Sequence, residues 1–198
     1  MLARHGYGVF VLEPRGRHDS EGDPPFVWNG EEDLRAAVRY LQSRPDVDDD
    51  RIGGIGFSHG GLLMIHTAAR EPGLLAVVSE GGTRRRAADH IDLLTVTFAP
   101  TSPMATAALA VFSDSQPPPP LPELVADIAP RPIMFIWAGP DEAGEHVATH
   151  YFERAGEPKH IWNIPESGHT DGLKTRPTEY ERRVIGFIDE YLLGPAAG

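Results

Sequence analysis

The sequence predicts a three-layer α/β/α domain on a mostly parallel sheet, and three observations carry that prediction. Apolar runs of strand length are continuous rather than alternating, as in strands buried on both faces. Between them lie longer segments whose apolar residues recur at helical spacing. Gly, Pro and Asp clusters punctuate the chain, so strand and helix take turns along it. Its 198 residues have the length of one domain. Residues 1–198 are therefore read as a single unit, with 81–130 as a flap-like insertion.

The elements follow in order. Gly8-Val9-Phe10-Val11-Leu12 reads as a first strand buried on both faces, followed by a Pro/Gly/Asp-rich loop from Pro14 to Pro25. Asn29 can cap a helix whose first turn carries Glu31, Glu32 and Asp33, which suit the positive end of the dipole. Leu34, Val38 and Leu41 repeat at helical spacing until Pro45 stops the run. Ile52 to Phe57 is a second strand, Gly60 to Arg70 a helix closed by Pro72-Gly73, and Leu75 to Val78 a third strand. Gly81 to Pro130 reads as irregular and contains the stiff Pro117-Pro118-Pro119-Pro120. Ile133 to Trp137 and His160 to Ile164 are strands, while Glu145 to Ala155 and Thr178 to Leu193 are helices.

Composition removes several function classes. Eighteen Lys and Arg against 29 Asp and Glu leave a charge of −11, which argues against nucleic acid and anionic membrane as partners. There is no cysteine, so a disulfide framework, a thiolate nucleophile and a Cys-ligated metal are excluded. No stretch reaches the roughly 18 apolar residues of a membrane span. The first residues lack the basic-then-apolar pattern of a signal peptide, so a cytoplasmic location is expected.

In sheets of this kind the chemistry sits in the loops beyond the carboxyl ends of the strands. Gly56-Phe57-Ser58-His59-Gly60 fits G-x-S-x-G between a strand and a helix. A sharp turn there lifts the serine into the open and leaves room only for small residues two positions either side. The N–H of His59 can then stabilise an oxyanion at the positive end of the following helix. A serine nucleophile needs a base, and the base an orienting acid. Asp141 follows the fourth strand and His169 the fifth, in the order serine, acid, histidine. Asp141 is the acid by its spacing from the strand, with Glu142 and Glu145 competing for the place.

The chain resembles the α/β-hydrolase superfamily, nearest to its esterase and dienelactone-hydrolase-like members. Gly6-Tyr7-Gly8-Val9-Phe10 through Arg15-Gly16 and Ser20-Glu21-Gly22 is similar to the strand and loop before the family's nucleophile turn. Asp48-Asp49-Asp50-Arg51-Ile52-Gly53 resembles the lead-in to the nucleophile strand, and Ser167-Gly168-His169 the histidine loop. The resemblance implies Ser58 as nucleophile, His169 as base and Asp141 as acid, with no cofactor and no metal. It also implies an N-terminally truncated α/β-hydrolase fold. Family members place a strand and a His-Gly-type loop ahead of the segment resembling Leu2–Gly6, and that loop supplies a second oxyanion donor. On this reading the run at Val9–Leu12 and that at Ile52–Ile55 flank a missing strand, so they pair directly, recruit a partner or leave the chain poorly folded. Self-association and weak activity are expected.

The expected function is hydrolysis of a small ester, thioester or similarly activated carbonyl, with a non-catalytic remnant as the alternative. Three other patterns compete less well. Gly54-Ile55-Gly56 with Gly60 is a loose dinucleotide fingerprint, with Glu80 as the ribose-binding acid, but it leaves the Ser-Gly-His loop unexplained. His146 and His150 share a helix face at metal-ligand spacing without a third ligand, so solvated histidines account for them. Arg84-Arg85-Arg86 reads as a solvated face, or as a grip on a substrate carboxylate.

Overall fold

Four strands, β1 (Gly53–Phe57), β2 (Ala76–Glu80), β3 (Ile133–Ala138) and β4 (Lys159–Ile164), pair in chain order, every pair parallel. The computed structural model describes residues 1–16, 19–22, 30–82, 119–139 and 144–194. The helices are α1 (Glu31–Gln42), α2 (His59–Arg70), α3 (Leu121–Leu124), α4 (Val147–Arg154), α5 (Gly172–Thr175) and α6 (Pro177–Ile188). A 3-10 turn, Val125–Ile128, extends α3, and a π turn, Asp189–Leu193, extends α6. Parallel neighbours cannot be joined by a hairpin, so the chain crosses over through α2 between β1 and β2 and through α4 between β3 and β4.

Strand side chains alternate between faces, and each face has its own helical cover. Val77, Ile133 and Phe135 pack with Leu62 and Ile65 of α2 and Tyr151 of α4. Ala76, Val78, Met134, Ile136 and Ile164 pack on the opposite face with Tyr180, Val184 and Phe187 of α6. This is the expected three-layer arrangement. No helix among the described residues is long and apolar enough to cross a membrane.

Two expectations need correction. The run from Gly8 to Leu12 forms no strand, and Val11 is 83% exposed rather than buried on two faces. An apolar run becomes a strand only where a neighbour completes its hydrogen bonds. Among the described residues none does so here, and β1 pairs only with β2. The segment is held through its flanks. Met1, Leu2 and Tyr7 pack on the α6 face, Tyr7 donates to Asp189, Phe10 tilts against Tyr40, and Arg15 pairs with Asp33 at 3.0 Å.

The second correction concerns the tail of the insertion. Leu121, Leu124, Val125 and Ile128 are buried in the core rather than irregular, and their i, i+3, i+4, i+7 spacing is helical. Residues 83–118, which carry the rest of the flap reading and Arg84, Arg85 and Arg86, lie outside the described residues, as does Asn29.

Burial sets unequal costs for two large apolar side chains. Phe135, 1% exposed and edge-on to Phe152, should lose about 3–5 kcal/mol when replaced by alanine. Val11→Ser should stay within about 0.5 kcal/mol, since that side chain is already in water. Urea unfolding of both variants checks the pair.

Candidate active site

The turn between β1 and α2 is built by backbone contact. Ser58 sits at φ 52°, ψ −122°, in a region that non-glycine residues rarely enter. Its N–H donates to the carbonyl of Glu80 at 2.8 Å, and its own carbonyl accepts from Gly61 at 3.0 Å and Leu62 at 3.4 Å. A Cβ at Gly56 would lie 2.3 Å from the carbonyl oxygen of Gly60, so only glycine fits. At Gly60 itself a Cβ would meet nothing within 4 Å. The tight second position is Gly61, whose Cβ would lie 2.7 Å from Ser79 Oγ; the motif reading misses it because the crowding comes from β2. His59 stands at the first position of α2, at the end toward which helix N–H groups point.

The side chain of Ser58 meets His169, which follows β4. Nε2 of His169 lies 2.8 Å from Ser58 Oγ, and Nδ1 lies 2.5 Å from Oε1 of Glu145. The other oxygen of Glu145 accepts the N–H of Ala138 at 2.7 Å, so both oxygens of this buried carboxylate are engaged. An ionised carboxylate only accepts hydrogen bonds. In the neutral imidazole whose Nδ1–H donates to that carboxylate, Nε2 turns its lone pair to the serine hydroxyl. A hydroxyl, a neutral imidazole and a buried carboxylate in series can activate the hydroxyl as a nucleophile.

The place expected for Asp141 is thus held by Glu145. Asp141 and Glu142 lie outside the described residues. Spacing from the strand end favours Asp141, but Glu145 reaches back to Ala138 from seven residues on. Gly144, at φ 72°, makes the turn that allows this; a glycine just ahead of an acid and a helix was the available signal.

The loop of His169 rests on the end of β2. Gly81 has φ 61°, and a Cβ there would lie 2.9 Å from Thr170 Cγ2 and 3.2 Å from His169 Cε1. Beside it Glu80 is buried; its Oε1 accepts the N–H of Gly172 at 3.0 Å and its Oε2 the hydroxyl of Tyr180 at 2.5 Å. Burial pushes the Glu80 carboxyl pKa up, with the charges of Glu145 and Asp171 adding to that push, while the two hydrogen bonds oppose it. A carboxylate engaged in this way is not presented to a ribose, which removes the dinucleotide reading. Asp48, Asp49 and Asp50 form the group of described residues spaced to share a cation; they are exposed, and His146 and His150 belong to no such group.

A family model for X-Pro dipeptidyl-peptidases of the S15 family matches residues 1–163. The chain belongs to the S15 family. The matched stretch takes in Ser58 and Glu145 and ends before His169. Among curated proteins, this S15 chain is 41% identical over 82 residues to the uncharacterized peptidase YtmA of Bacillus subtilis, covering 41% of the chain and 32% of that protein. It is 36% identical over 78 residues to the quorum-quenching protein AidA of Acinetobacter baumannii, covering 38% of the chain and 26% of AidA. The matches thus span a third or less of these relatives. Among solved structures, the esterase Pf2001 of Pyrococcus furiosus superposes with TM-score 0.72 at 20% identity, over 96% of this chain and 74% of that one. The α/β hydrolase GrgF of a Penicillium species gives 0.71 at 17%, over 91% and 78%. The S15 chain therefore has the α/β-hydrolase fold.

The two glycines of the motif should respond differently to alanine. Gly56→Ala forces its Cβ into the backbone of Gly60 and should lower the melting temperature sharply or prevent folding. Gly60→Ala meets open space on a helix, where alanine is favoured by up to about 1 kcal/mol, and should be neutral to stabilising. Thermal unfolding of the two variants side by side tests this.

Proposed function

We propose that the protein is a serine hydrolase that cleaves an ester, thioester or similarly activated carbonyl through an acyl-enzyme on Ser58. The observation that carries the reading is the unbroken series from Ser58 Oγ through His169 to Glu145. Ser58 Oγ attacks the carbonyl carbon while His169 Nε2 takes its proton. The carbonyl oxygen becomes an oxyanion, with the His59 N–H at the start of α2 as donor. Glu145 holds the imidazole in the productive tautomer and stabilises the imidazolium formed. The intermediate collapses as the bond to the leaving group breaks, and the leaving group takes the proton from Nε2. Water then repeats the sequence, with His169 as base, and releases the acid and the free serine.

The substrate is a small molecule. A second reading is hydrolysis of the amide bond after an X-Pro dipeptide, supported by the S15 family match. A p-nitrophenyl ester and an X-Pro dipeptide anilide, assayed in parallel, separate the two. Labelling with a fluorophosphonate tests the shared core: an adduct on Ser58 supports an assembled nucleophile, and no adduct favours a non-catalytic remnant.

Two outcomes are expected of this chain. Ser58→Ala should abolish turnover without loss of fold, seen by assay and circular dichroism together. Glu145→Gln should cost about 10⁴-fold in kcat, as for a buried carboxylate that sets the tautomer, while Asp141→Asn stays near wild type. The reverse pattern would return the acid to Asp141.

A further inference from the structure

Among the described residues two carboxylates are buried, Glu145 and Glu80, and the proposed chemistry uses only the first. Glu80 is the last residue of β2 and is bonded in two directions. Its carbonyl accepts the N–H of Ser58 at 2.8 Å. Its side chain accepts the N–H of Gly172, three residues beyond His169, and the hydroxyl of Tyr180 at the start of α6. The approach at Gly172 is close on all sides: a Cβ there would lie 2.8 Å from Glu80 Oε1, 2.9 Å from Ile164 Cδ1 and 3.0 Å from Tyr180 Cε2.

The geometry of the sheet makes such a tie necessary. Ser58 follows β1 and His169 follows β4, and these strands lie at opposite ends of the described sheet. Three strand spacings separate them, roughly 14 Å. The two loops must nevertheless meet so that Oγ and Nε2 stand 2.8 Å apart. A loop anchored only to its own strand would be placed independently of the other. Glu80, on the strand beside β1, holds the Ser58 turn through its main chain and the His169 loop through its side chain.

We propose that Glu80 is a positioning residue that keeps the loop of His169 aligned with the turn of Ser58. The inference rests on the serine-hydrolase reading. It assigns Glu80 no contact with substrate and no role in proton transfer.

The test is fluorophosphonate labelling of the full chain, followed by intact mass in wild type, Glu80→Leu, Glu80→Gln and Tyr180→Phe. The extent of labelling at completion counts folded sites, whereas the rate constant reports how well Oγ and Nε2 are aligned. Glu80→Leu keeps the bulk and removes both acceptors. It should slow the rate constant by about 10²-fold, the effect of a displacement near 1 Å, with the final extent unchanged. Glu80→Gln keeps an acceptor for Gly172 and a polar partner for Tyr180, so it should restore most of the rate. Tyr180→Phe removes one of the two bonds and should cost roughly tenfold. With a p-nitrophenyl ester the same losses should fall on kcat rather than KM. If Glu80→Leu does not fold, Tyr180→Phe carries the test. Wild-type rate constants in the folded variants, or a lowered extent at an unchanged rate constant, overturn the positioning role alone. A wild type that takes no label overturns it together with the hydrolase reading.

Discussion

Ser58, Glu145 and His169 belong to three separate connections, and they meet because every strand of the described sheet runs the same way. A parallel ladder sets all carboxyl ends along one line, so Phe57 lies opposite Glu80, Glu80 opposite Ile136, and Ala138 opposite Ile164. The segments leaving that line carry the serine, the end of β2 with Gly81, the glutamate and the histidine. Reversing a single strand would send its loop to the far edge. The two apolar layers that clamp the sheet, α2 and α4 on one face and α6 on the other, hold this register, and the site inherits it.

Local strain is concentrated where the chain turns from sheet to helix. A serine at positive φ costs of order 1–3 kcal/mol and persists only if its surroundings over-determine it. Here the Ser58 N–H is taken by β2 and its carbonyl by two amides of α2. The helix is itself anchored by Leu62, Ile65 and Ala68 in the core. Packing remote from the serine thus stabilises the turn that exposes its hydroxyl beside a helix N-terminus. Thr170, at φ 56°, places a second non-glycine residue at positive φ directly after His169, so both ends of the Ser58–His169 hydrogen bond stand next to constrained backbone.

Polarity around the site is internal. Glu145 and Glu80 are withdrawn from water, and each of their four oxygens has a named partner. In a medium of low dielectric an unpartnered carboxylate would be costly, whereas a fully bonded one fixes geometry strongly. Glu145 is hydrogen-bonded to the imidazole, and Glu80 to the loop that carries it.

Layer order, sheet direction and the Ser58–His169 pair that the fold brings to 2.8 Å were all legible in the residue pattern. Continuous apolar strands separated by helical repeats have few other packings, and a serine between strand and helix with a later Ser-Gly-His loop has few other uses. Features that depend on neighbours distant in sequence were not legible in it. Val9, Phe10 and Val11 read as a buried strand, yet β pairing is a property of two strands and none of the described ones lies beside them. Spacing favoured Asp141, but the group on His169 Nδ1 is Glu145, because a turn at Gly144 brings its carboxylate back to Ala138. Gly61 carried no pattern and Glu80 only that of the discarded dinucleotide fingerprint, since the atoms that constrain them lie on other elements. Periodicity records what a residue must be buried against in general; only the folded chain supplies the particular atoms it meets.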